Sequence, residues 1–201
     1  MRSRRLGSIL GLVLAFAAFS AAAGAGVFAS KQEALESAFP GANTIEHHTL
    51  VLDDEQAARV EQRAQARLES RLATVYTGIR DGRVMGHAII DVHTVRTLPE
   101  AFMVVLAPDG SVRSTEILAF YEPPEYMPPG RWLDQFDARK LDASLRLGGE
   151  IHGISGATLS SRAVTSGVRR ALALYEAYRA TVDARPDPAA LPVGTVAAGG
   201  H

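Results

Sequence analysis

The chain has 201 residues, 47% hydrophobic and 21% charged, which suits one packed domain with a leader and argues against wholesale disorder. Its formal net charge of −1 offers no basic stripe of the kind nucleic-acid binding needs. It has no cysteine, so disulfides, thiolate metal sites, iron–sulfur clusters and covalent c-type haem attachment are excluded, whatever the compartment.

Arg2, Arg4 and Arg5 precede an apolar run over residues 6–29 that is broken only by Gly and Ser. This is the layout of a secretory signal peptide or a signal anchor. Ala23-Gly24-Ala25 and Val27-Phe28-Ala29 both fit an A-x-A-like cleavage site. The run is also long enough to span a bilayer, which needs about 20 apolar residues. Cleavage and retention both remain open. A retained helix with this basic flank leaves the body of the protein outside the cytoplasm. The expected location is the periplasm or the outer face of the inner membrane, with residues 6–29 as the anchor where they are kept.

Residues 30–42 form a short amphipathic stretch that ends at Pro40-Gly41. Ala34, Leu35, Ala38 and Phe39 fall on one helical face. A second helix is expected to start near Asp53, with Gln56 three residues on as an approximate capping box. Ala57, Val60, Ala64, Leu68 and Leu72 recur at helical spacing. Residues 30–73 therefore read as an N-terminal helical segment that packs on the core.

From residue 74 the pattern turns to strands. Residues 74–79 and 83–95 are joined at Asp81-Gly82, and residues 102–106 and 112–121 flank Pro108-Asp109-Gly110-Ser111. Residues 122–130 are proline-rich and cannot continue a strand. Order resumes over 132–141, with Trp132 and Phe136 turned inward. A helix from near Ser160 to Thr181 buries Ala163, Val164, Val168, Ala171, Leu172 and Tyr175. Residues 183–201 read as a disordered tail. The expected fold is α+β: a small antiparallel sheet of about four strands flanked by helices, in a domain over residues 74–182, behind an N-terminal signal or anchor helix.

Ser155-Gly156-Ala157-Thr158 stands just before that last helix. A helix start offers free N–H groups and the positive end of the dipole, which favour anions. Gly156 allows close approach of a ligand, Ala157 is small, and Thr158 adds a hydroxyl. These residues describe a phosphate pocket. They equally describe an ordinary helix cap.

The longer stretch over residues 155–168, Ser-Gly-Ala-Thr-Leu-Ser-Ser-Arg-Ala-Val-Thr-Ser-Gly-Val, resembles the flavinylation motif of the FMN-binding domain family. That family includes the G subunit of the Rnf electron-transport complex and the C subunit of the sodium-pumping NADH:quinone oxidoreductase. Glu122-Pro123-Pro124, then Gly130-Arg131-Trp132-Leu133-Asp134-Gln135-Phe136, is similar to the family's segment near the flavin. The resemblance covers residues 75–174 and is of the stand-alone, one-subunit kind. It implies FMN as cofactor, joined to Thr158 by a phosphoester that a flavin transferase installs, and a pocket around Ser155, Gly156 and Ala157. Two positions depart from the pattern. His152 stands where the family has the Asp that the transferase reads, and Glu122-Pro123-Pro124-Glu125-Tyr126 replaces Glu-Thr-Pro-Gly.

Other residues carry two readings each. Tyr121 and Tyr126 can stack on an isoalloxazine ring or cover the sheet edge. Glu122 can accept a hydrogen bond from the ring or lie on the surface, and His152 can lend positive charge to a phosphate or sit in a plain loop. Arg131 can pair with phosphate or stay solvated. His47, His48, His87 and His93 match no metal motif, although His87 and His93 are spaced to share a strand face. No Walker loop or G-x-S-x-G elbow is present. The expected function is electron transfer at the membrane, with a membrane redox complex or a cytochrome as partner rather than a substrate acted on by a catalytic side chain. Two other readings are a non-redox binding or regulatory module on the same fold and a small flavin reductase.

Overall fold

The computed structural model describes residues 26–184 and 194–196. An antiparallel sheet is built from β1 (Gly26–Val27), β2 (Thr44–Val51), β3 (Leu72–Arg80), β4 (Arg83–Thr94), β5 (Pro99–Leu106) and β6 (Val112–Phe120), with a short β7 (Gly194–Val196) at one edge. Its order is β1-β6-β5-β4-β3-β2-β7. The helices are α1 (Lys31–Ala38), α2 (Asp54–Ala64), α3 (Gly130–Leu133) and α4 (Thr158–Asp183).

The local signals explain most of these elements. Ser30 caps α1 and Asp53 caps α2, each in a complete capping box, with Glu33 and Gln56 reaching back to the cap N–H. Asp81 and Gly82 both take left-handed backbone conformations, as a two-residue hairpin between β3 and β4 requires. The proline-rich stretch makes only a 3-10 turn at Pro124–Tyr126.

The sheet separates two apolar layers. On one face α1 contributes Ala34, Leu35 and Ala38, which cluster with Phe39, Ile45, Tyr76, Ala88, Met103, Val105 and Leu118. On the other, α2, α3 and α4 cover Val75, Ile89, Phe102, Val104 and Leu106 with Val60, Trp132, Phe136, Val164, Val168 and Leu172. Alternate residues of the central strands thus point into opposite cores, the period-two pattern of a sheet covered on both sides.

The α+β class holds, and several expectations are corrected. The sheet has more strands than the four expected, because residues 44–51, placed in a helical segment, form β2. The helix starting at Asp54 stops at Ala64, where Gln65 turns left-handed, and Leu72 already belongs to β3. α4 begins at Thr158, inside the tetrad. Most of the expected leader (1–25) lies outside the described residues, and Gly26–Val27 is strand rather than helix. Among the described residues no helix is long and apolar enough to cross a membrane. The expected tail also lies largely outside them, but within it Gly194–Val196 pairs with β2.

Candidate functional site

The start of α4 is open where an ordinary helix start is closed. Ala157 occupies the N-cap position and no side chain caps the helix. The first backbone bond of the helix is donated by Ser161 to the Ala157 carbonyl. Thr158, Leu159 and Ser160 precede that bond, so their N–H groups are the free donors of the first turn. The Thr158 side chain is exposed, and no acidic residue occupies the first turn. The capping alternative for Ser155 and Thr158 therefore does not hold.

The loop before the helix is held from three sides. Gly156 has φ +83, a left-handed turn that glycine adopts without strain. The Ile154 N–H donates to Ser161 Oγ (3.1 Å), and Ser161 Oγ donates to the Ala157 carbonyl (3.0 Å). One buried hydroxyl thus ties the loop to the first helical turn. From the other side, Trp132 Nε1 donates to the His152 carbonyl at 2.6 Å, and the His152 N–H donates to Gln135 Oε1 at 2.9 Å. The Trp-x-x-Gln-Phe run and the tetrad, far apart in sequence, are therefore one construction. Trp132 and Phe136 are buried and meet edge to face. Trp132, Gln135 and Ser161 position the loop. The sequence reads Trp132 as core, and Gln135 and Ser161 only as parts of the two family-like segments, with no role of their own.

The remaining sequence candidates divide. His152 is exposed, and the loop uses its backbone at both ends. Glu122 is buried, and its Oε1 accepts three N–H groups, from Arg96 (3.0 Å), Thr97 (2.8 Å) and Leu98 (3.0 Å). The Thr97 and Leu98 N–H groups hold its carboxyl below the usual range, against the opposing effect of burial. Glu122 is therefore the organiser of the β4–β5 turn, which neither of its expected roles included. Tyr126 lies beneath the Arg96 guanidinium at 5.1 Å, and Tyr121 is 37% exposed after the end of β6.

These pieces share one end of the sheet. Tyr175 of α4 donates to the Pro108 carbonyl beside the β5–β6 turn, and Gly167 lies against the Phe102 ring of β5. α4 thus runs parallel to β5, and its first turn points toward the end where β5 begins, β6 ends and Glu122 binds the 96–98 turn. Leu98, Tyr121 and Leu159 all leave part of their side chains in solvent there. A larger groove of about 730 Å³ runs between β2, α2 and the C-terminal half of α4. It includes no residue of the tetrad, so its size says nothing about the site.

An open helix start, a glycine turn and an exposed hydroxyl on an α+β scaffold fit an anionic group such as a phosphate. The model of the FMN-binding domain matches residues 99–173, from β5 into α4. No curated protein matches the chain. The free N–H groups and the Thr158 hydroxyl, with no competing carboxylate in the turn, fit the phosphate of FMN.

Proposed function

We propose that this protein is an extracytoplasmic electron-transfer flavoprotein, with the FMN phosphate joined to Thr158 Oγ1 as a phosphoester after maturation by a flavin transferase. The observation that carries the reading is the solvent-exposed Thr158 hydroxyl at an uncapped helix start. When bound, FMN supplies one- and two-electron redox chemistry.

The chain's own residues do the rest. The N–H groups of Thr158, Leu159 and Ser160 and the α4 dipole stabilise phosphate charge. Ser161, Trp132 and Gln135 fix the loop so that these donors point one way without reorganising. Leu98, Tyr121 and Leu159 supply apolar and aromatic surface beside them for a ring or a partner. A covalent link retains the cofactor where free FMN is scarce, outside the cytoplasm. The basic and apolar leader supports that location, with a membrane redox complex or a cytochrome as partner.

Coexpression with a flavin transferase, followed by mass spectrometry of the peptide containing Thr158, tests the linkage. The expected peptide carries the added FMN phosphoryl mass, and Thr158→Ala loses it. A colourless protein with no bound flavin would overturn the flavin reading in favour of a non-redox module on the same fold. Bound but extractable flavin would remove only the phosphoester.

A further inference from the structure

Four ionisable side chains meet beneath α4. Asp91 and His93 alternate on the α4-facing side of β4, Glu100 stands opposite His93 on β5, and Arg170 comes down from α4. Arg170 grips Asp91 with two bonds, Nε to Oδ1 at 3.0 Å and Nη2 to Oδ2 at 2.6 Å. Asp91 Oδ2 also meets His93 Nδ1 at 2.7 Å. On the far side of the ring, His93 Nε2 lies 3.3 Å from Glu100 Oε2. That separation is an ion-pair contact without hydrogen-bond geometry, so His93 Nε2 and both Glu100 oxygens have no hydrogen-bond partner. Glu100 is fully buried.

Such an arrangement is costly for packing alone. An unsatisfied buried polar atom is destabilising, and more so when charged. Arg170 and Asp91 compensate each other. The imidazole that remains is set between two carboxylates, where it can face both as a donor only when doubly protonated. Burial works against the imidazolium, but Asp91 and Glu100 outweigh it and raise His93 to about 8. Glu69, from the connection into β3, is the other charged residue nearby. It lines, with Asp91 and Arg170, a cavity of about 250 Å³. Phe102 closes the ring of His93 from β5. The row therefore has an end beside a cavity, at Asp91, and a sealed end, at Glu100.

The sealed end points toward the start of α4. Glu100 lies two residues, about 7 Å, along β5 from Phe102 in that direction. Thr158 lies nine residues, about 13 Å, along the helix from Gly167, the neighbour of Phe102. The offset between them is on the order of 10 Å or less along the sheet.

We propose that Asp91, His93, Glu100 and Arg170 form a buried proton-binding site whose occupancy is linked to the charge carried at the start of α4. The proposal rests on the flavin reading above for the origin of that charge. When a redox partner delivers one electron to this end of the molecule, the proton affinity of the row rises, and in the pH range where His93 is partly deprotonated a proton enters from water past Asp91 and is held between His93 and Glu100. Both leave when the electron passes to the acceptor.

Two measurements on the full chain test this. The first is a nitrogen-15 NMR titration of the histidine rings in flavin-free protein, with His93 assigned through its contact with Phe102 and by its loss in His93→Gln. The expected result is a ring protonated at both nitrogens at neutral pH that titrates above the ordinary imidazole range. A His93 that is neutral at pH 7 overturns the proton site. The second repeats the titration on flavin-loaded protein, oxidised and reduced. Reduction is expected to raise the proton affinity of the row roughly tenfold, and by reciprocity the row's protonation favours reduction roughly tenfold, which raises the midpoint potential. His93→Gln and Glu100→Gln are expected to flatten the corresponding part of the potential's pH dependence. Equal titration in both redox states overturns the linkage and leaves the flavin reading intact. Failure to load flavin overturns the linkage together with that reading, while the first measurement still decides the proton site.

Discussion

Thr158 and Ser161 stand three residues apart at the start of one helix, and the fold uses only one of their hydroxyls. Ser161 is fully buried, accepts the Ile154 N–H and donates to the Ala157 carbonyl. Thr158 is exposed. Their alanine variants should therefore separate structure from function. Ser161→Ala leaves a loop N–H without its acceptor and is expected to cost about 1–2 kcal/mol in urea unfolding of the flavin-free protein, with weaker flavin loading. Thr158→Ala is expected to change stability by less than about 0.5 kcal/mol, as at other surface positions, while removing the covalent adduct. Equal destabilisation by the two would mean that Thr158 has a structural bond the geometry does not contain. The tetrad was legible in the sequence because its chemistry is consecutive along the chain. The roles of Ser161, of Gln135 and of the Glu122 carboxylate in the 96–98 turn were not, because each is defined by a partner that only the fold brings near.

At the level of elements, what could be read was local and what could not was tertiary. Both capping boxes, the Asp81-Gly82 hairpin and the inward Trp132 and Phe136 follow from short-range rules. The end of α2 does not: Leu68 and Leu72 continue its spacing, yet the helix stops at Ala64. There the buried Arg169 of α4 donates to the Ala64 carbonyl at 2.6 Å and to the carbonyls of Asp142 and Leu145 at 2.7 and 2.8 Å. A cation supplied by another helix thus satisfies the C-terminal end of α2. β2 was missed because its alternation is blurred by His47 and His48, which point to opposite faces, toward Tyr76 and Tyr178. The seating of α4 on the sheet depends on Gly167. A Cβ there would lie 2.3 Å from the Phe102 ring and 2.8 Å from Asp91 Oδ2. Gly167→Ala is expected to lift α4 and cost about 1–3 kcal/mol. By contrast, a Cβ at Gly153 meets nothing within 4 Å, so Gly153→Ala should be nearly neutral. Thermal unfolding of the two variants checks the contrast.

For the whole molecule, the two histidines that share the α4-facing side of β4 make stability depend on pH in opposite senses. His87 packs against Tyr175 and Tyr178 and pairs through Nδ1 with Thr77 Oγ1 at 3.0 Å. Burial, with the charge of Arg179 adding to it, lowers its pKa to about 4. The unfolded chain then binds a proton near pH 6.5 that the fold refuses, so the contribution of His87 is present above about 6.5 and is lost as the pH falls toward 4. His93 behaves in reverse. Its folded value is raised to about 8, so its contribution is complete below about 6.5 and is lost as the pH rises through 8. Asp91 adds to the acid side: burial opposes its ionisation, but His93 and Arg170 outweigh this and lower its pKa, so its contribution falls away as that carboxylate is protonated. The shifts correspond to roughly 3 kcal/mol for His87 and roughly 2 kcal/mol for His93. Urea unfolding of flavin-free protein across pH 4.5–8.5 should therefore trace a dome with its top near pH 6.5. His87→Gln should flatten the acid limb and His93→Gln the alkaline limb. A wild-type stability that keeps rising from pH 6.5 to 8.5 would show that His93 does not fold as an imidazolium between Asp91 and Glu100.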